Sequence, residues 1–292
     1  IKSKWRPILE GKLLGEVTRD DINKIFMAEC TRKLSPKTIK AVLQSVTIPM
    51  KWAHLHDLTE NNCYSGIISP RSKTKKKTIL TMEETRALFN AEWDNDRVKL
   101  ACLVACFTGM RQGEILALQV RDIGKDRIFI RHSYSPYEGG LKTPKNGEER
   151  PAPISKELRE ALLHMVEFNP RYSIDKENSF IFFGKDPVKP VCQRLFNKYL
   201  HRALEECGYP NPKKIGFHCW RHGFCTETKT LVNDDRMIRQ VSGHKTQAVF
   251  EHYSDHLEMK DTIKAMGNAA ETLFGSVVER TLNTPVLEEE LA

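Results

Sequence analysis

No apolar run in the chain approaches the roughly 18 residues that a membrane-spanning helix needs. Mean hydropathy is −0.48 and charged residues make up 29%, a water-facing balance that argues against an integral membrane protein. The chain also lacks a CxxC pair. Cys30, Cys63, Cys102, Cys106, Cys192, Cys207, Cys219 and Cys225 are scattered, without the close pairs of a structural zinc site or a disulfide framework. Cys102 and Cys106 fall in an apolar stretch and are expected as buried thiols, in a reducing cytoplasm. No Walker loop, GxGxxG, GxSxG or HExxH occurs, and no acidic cluster of the kind that holds Mg²⁺. A nucleic-acid enzyme built from this chain is therefore expected to work without metal, and to meet the phosphate with Arg, Lys and His. The first residues, Ile1-Lys2-Ser3-Lys4-Trp5, carry no Met and no signal-peptide pattern. That leaves room for a native N-terminal segment.

What is present is length, positive charge and helical periodicity. The 292 residues suit one large or two ordinary domains. The net charge of +8 is unevenly spread: residues 1–80 hold 16 Lys and Arg against 7 Asp and Glu, and the remainder is nearly balanced. A domain that carries the whole excess points to a polyanionic partner, against the plainer reading of a solvated basic surface.

Ser35-Pro36 supplies a cap and a first-turn proline ahead of Ile39, Val42, Leu43, Val46 and Met50 at helical spacing. An earlier helix is expected from Thr18, with Asp20 and Asp21 in its first turn. Residues 1–70 thus read as a small helical bundle. Residues 71–80 are basic and polar, and read as an extended linker that is either merely solvated or tracks phosphates. Thr81-Met82-Glu83-Glu84 is a capping-box pattern that opens a second domain. An apolar helix follows through Leu100, Leu103, Val104 and Phe107 to Thr108-Gly109. Arg127–Arg131 and Arg150–Ile154 read as short strands, with turns at Gly139-Gly140 and Asn146-Gly147. Helices resume at 155–168 and continue to about Val278. The expected fold is mainly α with a small antiparallel β region.

Four stretches carry cations suited to phosphate. Arg111 lies among glycines in TGMRQGE, and the hairpin region offers Lys142 and Lys145. His218 and Arg221 are three apart in HCWR, and Gly243-His244 is followed nine residues later by Tyr253. Singly, each has an ordinary explanation: a helix-end salt bridge from Arg111 to Glu114, a surface HxxR pair, a half-buried tyrosine.

Jointly and in this order, TGMRQGEILAL, PKNGEERPAPI, HCWRHGF and SGHKTQAVFEHYSDH resemble the tyrosine recombinase (integrase) family. The resemblance extends over nearly the whole chain and implies a helical core-DNA-binding domain at 1–70, a basic linker at 71–80 and an α+β catalytic domain at 81–278. A tail at 279–292, with Glu288-Glu289-Glu290, is either a segment docking on a neighbouring protomer or a disordered end. It implies Tyr253 as nucleophile, Arg111 and Arg221 as phosphate-clamping arginines, His218 as the first histidine and His244 as the second His/Trp position. For the lysine, Lys145 suits the PKT…R…P register better than Lys142, which would need a longer hairpin. Cys219-Trp220 depart from the common aliphatic residues inside HxxR and are expected to be structural.

The implied function is site-specific recombination of double-stranded DNA through a 3′-phosphotyrosyl intermediate, without cofactor, integrating or excising a mobile element. The implied setting is a homotetramer on two duplexes in the bacterial cytoplasm, at the nucleoid, open to an accessory directionality factor. A type IB topoisomerase and a non-catalytic DNA-binding relative are the rival readings. If residues 1–80 clamp the duplex, DNA affinity falls by a factor on the order of 10³ between about 50 and 200 mM salt. A flat profile in a fluorescence-anisotropy titration would count against that clamp.

Overall fold

The computed structural model describes residues 2–31, 34–68, 78–137, 140–144, 147, 149–232, 234–243 and 259–283. The chain divides into two compact units, residues 1–76 and 77–292. Residues 69–77, which hold most of the expected basic linker, lie outside the described residues.

The first unit contains α1 (Lys2–Leu9), α2 (Arg19–Thr31) and α3 (Pro36–Leu55). Thr18 opens α2 reciprocally: its hydroxyl accepts from the Asp21 N–H, while the Asp21 carboxylate accepts from the Thr18 N–H. Ser35 caps α3 by accepting from the Thr38 N–H, with Pro36 in the first turn. Ile39, Leu43, Val46 and Met50 form the buried stripe of α3, and they close with Trp5, Ile22 and Ile25 into one core. Asn61 fastens the chain after α3 to the segment before α2, donating to the carbonyls of Leu14 (2.9 Å) and Val17 (2.6 Å). On α3 the basic side chains Lys37, Lys40 and Lys51 are exposed.

The second unit is built around α5 (Asp96–Thr108), which follows α4 (Met82–Asn90). Thr81 and Glu84 form the expected capping box of α4. From Leu100 to Thr108 every side chain of α5 is buried. A helix apolar on all sides belongs in the middle of a domain, and here α6 (Gln112–Leu116), α7 (Lys156–Glu167), α8 (Gln193–Glu206), α9 (Cys219–Leu231) and the closing helix surround it. Cys102 and Cys106 are buried free thiols in this core. Burial pushes both well above the ordinary thiol range.

Two small antiparallel pairs flank the helices. β1 (Arg127–Ile130) pairs with β4 (Arg150–Pro153), placing Ile130 opposite Arg150. Between them in sequence, β2 (Ser133–Ser135) pairs with β3 (Gly140–Lys142). This inner hairpin is an addition to the strands expected from the sequence. Its three-residue strands are too short to show alternation. After α10 (Asp235–Ser242) comes α11 (Met259–Asn283), which packs on α4, α5, α7, α9, α10 and β4. It continues past Val278, where the sequence pattern was expected to end, because Val277, Val278 and Thr281 keep one face buried for another turn. Residues 284–292, the rest of the expected tail, lie outside the described residues.

Truncating the central helix tests this arrangement. Leu103→Ala removes a fully buried side chain and is expected to cost about 2–5 kcal/mol. Urea unfolding of the full chain, followed by circular dichroism, should show one transition shifted by that amount.

Candidate active site

The site begins where α5 stops. Gly109 ends the helix in the left-handed conformation, φ +66. A Cβ at this position would lie 2.5 Å from the Phe224 ring, so only glycine lets α9 approach so closely. One turn before Phe224 on α9, Arg221 is 2% exposed and donates from Nη1 to the Gly109 carbonyl at 2.8 Å. The arginine of HCWR is therefore a buried group and not part of a surface pair. Cys219 and Trp220 fill the core beside it. His218 stands at the N-cap of the same helix, exposed, with its ring 4.9 Å from that of His222.

Arg111 caps α6. Its backbone N–H and its Nη1 both donate to the Glu114 carboxylate at 2.8 Å, so the helix-end salt bridge anticipated from sequence does exist. It is not the whole arrangement. Arg150, from β4, also forks onto Glu114, with Nη1 at 3.0 Å from Oε1 and Nη2 at 2.6 Å from Oε2. Its Nε donates to the Val241 carbonyl at 2.8 Å. Arg111 then reaches from Nη2 to the Gly243 carbonyl at 2.7 Å, at the left-handed turn ending α10. A Cβ on Gly243 would sit 2.8 Å from the Arg150 guanidinium carbon. The glycine of the GH pair therefore permits a backbone-on-arginine contact.

The electrostatics follow from this geometry. Burial pushes the Glu114 carboxyl up, but the hydrogen bonds and charge of Arg150, with Arg111 behind them, outweigh it and hold the carboxyl below its ordinary value. For Arg221, burial and then the like charge of Arg111 push the guanidinium down, with Arg150 adding to them. Cys225 and Glu114 pull the other way, and the value settles at about 10. Arg221 thus stays charged at neutral pH. Among the described residues, Arg111 and Arg150 share the Glu114 carboxylate and Arg221 lies close by, an excess of positive charge in a largely dehydrated place. An anion with several oxygens would relieve it. Arg111, with 21% of its side chain exposed, is the member that opens to solvent.

Lys142 ends β3 opposite Ser133, and the Ser133 hydroxyl lies against the α6 turn, where a Cβ on Gly113 would meet it at 2.6 Å. Lys145, His244 and Tyr253 lie outside the described residues. Among the described residues, no group of three or more His, Cys, Asp or Glu is placed to hold a metal ion. No described helix is long and apolar enough to cross a membrane. Glu114 and Arg150 are members of the cluster that the sequence did not single out as functional. In the sequence Arg150 is the arginine of the PKT…R…P register and Glu114 a helix-end partner of Arg111. A charged residue in phase with the apolar positions Ala152 and Ile154 of a predicted strand, and so on its inward face, was the available signal for Arg150.

A model described as the phage integrase family matches residues 77–260. The chain belongs to that family. Its curated relatives include a tyrosine recombinase of Pseudothermotoga lettingae, 23% identical over 253 residues and covering 82% of each chain. Another is tyrosine recombinase XerA of Pyrococcus furiosus, 24% identical over 258 residues, with 86% of this chain and 81% of the relative covered. Among solved structures, the Tn1549 transposon integrase in complex with a circular intermediate DNA matches with a TM-score of 0.67 at 18% identity, covering 90% of this chain and 87% of that one. A lambda integrase dimer bound to a COC′ core site matches at 0.60 and 17% identity, covering 84% and 85%. These structural likenesses carry the fold: mainly helical, with small antiparallel strands. Tyrosine recombinases are DNA strand-transferring enzymes, and this family member is one of them.

The shared carboxylate gives a stability prediction with a definite sign. Because the folded-state value of Glu114 is depressed, its contribution is present above the unfolded value and lost as pH falls through the folded one. Glu114→Gln leaves Arg150 buried without its counter-charge, an expected cost of about 3–5 kcal/mol at neutral pH. Acid titration of the unfolding midpoint should then be flatter in the variant than in the wild type. An equally steep acid loss in both would remove Glu114 from this role.

Proposed function

We propose that this chain is a site-specific DNA recombinase that cleaves and rejoins strands through a 3′-phosphotyrosyl intermediate, integrating or excising a mobile element. The observation that carries the reading is the buried guanidinium cluster with its excess positive charge, tied through Gly243 to the segment that leads into His244 and Tyr253. The family supports it, and so do the DNA-bound Tn1549 and lambda integrases that share the fold.

Tyr253 attacks the scissile phosphorus, forming an ester and releasing a 5′-hydroxyl. A phenol with a pKa near ~10 is protonated at neutral pH and must lose its proton during attack. His218 accepts that proton or orients the hydroxyl. As phosphorus becomes pentacoordinate, charge grows on the non-bridging oxygens, where Arg111 and Arg221 offer planar, permanently charged donors. Donors set for developing charge are typically worth about 3–4 kcal/mol each. His244 adds a hydrogen bond to the phosphate. The 5′-oxygen leaves as a neutral hydroxyl after taking a proton from an ammonium, Lys145 in preference to Lys142. The phosphotyrosyl ester conserves the energy of the broken bond, so a second strand's 5′-hydroxyl reverses the step without a nucleotide cofactor.

In this reading residues 1–70 grip the core site, the basic stretch 71–80 follows the backbone, 81–278 carries the chemistry, and the tail from 279 meets a neighbour. A lambda integrase tetramer bound to a Holliday junction, TM-score 0.61 at 16% identity, supports a four-subunit assembly on two duplexes. An accessory factor would set direction.

Suicide-nicked duplexes test the proposal. The wild type is expected to accumulate a covalent adduct and to transfer strands between duplexes. Tyr253→Phe should give none, with DNA affinity near wild type. Arg221→Lys, which cannot reproduce the fork, should cleave about 10²-fold more slowly or worse. An adduct formed by Tyr253→Phe would show that another residue is the nucleophile. Relaxation of one duplex without transfer to a second would indicate a topoisomerase.

A further inference from the structure

Arg150 is not one of the phosphate-binding side chains proposed above. Its side chain is 7% exposed, against 21% for Arg111, and among the described residues its three hydrogen bonds all end on protein oxygens. Those bonds form a closed ring. Arg150 holds both oxygens of Glu114, and each of those oxygens also accepts from Arg111, one from Nη1 and the other from the backbone N–H. The free end of Arg111 reaches the Gly243 carbonyl, and Arg150 itself reaches the Val241 carbonyl two residues earlier. The turn between these carbonyls leads directly into His244. Without a side chain on Gly243, the turn rests against the guanidinium it serves.

We propose that Arg150 is a positioning residue of the strand-cleavage reaction. It holds the Arg111 guanidinium and the Val241–Gly243 turn in one register, so that the phosphate clamp and the segment bearing His244 are set together. This rests on the recombinase reading of the site. Only a planar fork with a third donor can serve two carboxylate oxygens and a carbonyl at once. An ammonium in its place keeps the charge but not the ring.

Among the described residues, the charged groups facing Glu114 are Arg111 from its own turn, Arg150 from β4 and Arg221 from α9, while α10 presents carbonyls. Removing Arg150 leaves the burial that raises the Glu114 carboxyl and takes away the strongest influence holding it down. The carboxyl then protonates at a higher pH and releases Arg111.

The test uses the full chain on a nicked suicide duplex. It follows single-turnover adduct formation from about pH 5.5 to 8, DNA affinity by anisotropy, and the urea midpoint. Arg150→Gln is expected to bind DNA within about threefold of wild type and to form adduct about 10²-fold more slowly at pH 8. Towards acid it should lose about a further tenfold per pH unit beyond whatever the wild type loses. Arg150→Lys should stay folded, with a cooperative urea transition, and keep the wild-type pH profile while remaining about tenfold slow. Arg150→Gln cleaving within a few-fold of wild type would overturn the proposal. So would a loss of binding and cleavage by one common factor at every pH, which is what a purely structural arginine gives. If Arg150→Gln fails to fold, a full-speed Arg150→Lys overturns it and a slow, stable one supports it. Absence of adduct in the wild type would instead overturn the recombinase reading beneath it.

Discussion

Three buried or half-buried guanidiniums held around one carboxylate are the constraint on which the second unit depends. Glu114 takes the fork of Arg150 and one end of Arg111, while Arg150 also donates to the Val241 carbonyl and Arg221 to the Gly109 carbonyl, with the like charges of Arg111 and Arg150 close to Arg221. Such a cluster is costly to bury, because each cation surrenders water and the charges do not cancel. The surrounding core tolerates it because the arginines are anchored on rigid pieces: a helix cap, a strand end and the first turn of a helix packed against α5. Cost and function have one origin in the proposed mechanism, since charge that repels itself in the free protein is relieved when a phosphate enters.

The close approaches needed to assemble the cluster are made at glycines. At Gly109 the end of α5 comes within reach of α9, and at Gly243 the end of α10 comes within reach of Arg150. Both take left-handed backbone conformations that L side chains rarely adopt, and both present carbonyls to arginines. The glycines flanking the motif arginine and preceding the motif histidine are therefore parts of the charge geometry. Helix α11 closes the other side of α9, with Phe274 stacked on Phe224 at 6.4 Å, so the helix bearing Arg221 is pressed between the central helix and the last one.

Much of this was legible along the chain, for local reasons. Caps at Thr18, Ser35 and Thr81 act over three or four residues, and the apolar period of α3 and α5 repeats within a single helix, so both are visible without knowing the partner surface. Arg111 and Arg221 were legible through their motifs, and the structure joins them in one charge cluster. The inner β2–β3 pair was not legible, because three-residue strands have too few positions to display a period. Nor was the second occupant of Glu114: a buried Arg–carboxylate pair across 36 residues of sequence leaves no local trace.

The amino-acid sequence by itself determined the division into a basic helical part and a mixed second part, the helix starts, and which residue types could meet a phosphate. Those properties arise from composition and from interactions a few residues long. Only the tertiary structure decided that Arg111 pairs with a carboxylate it must share and that Arg221 is buried and not exposed. It also decided that Arg150 turns inward to join three elements. Desolvation and hydrogen-bond sharing depend on which distant segments meet, and that is a property of the packed core.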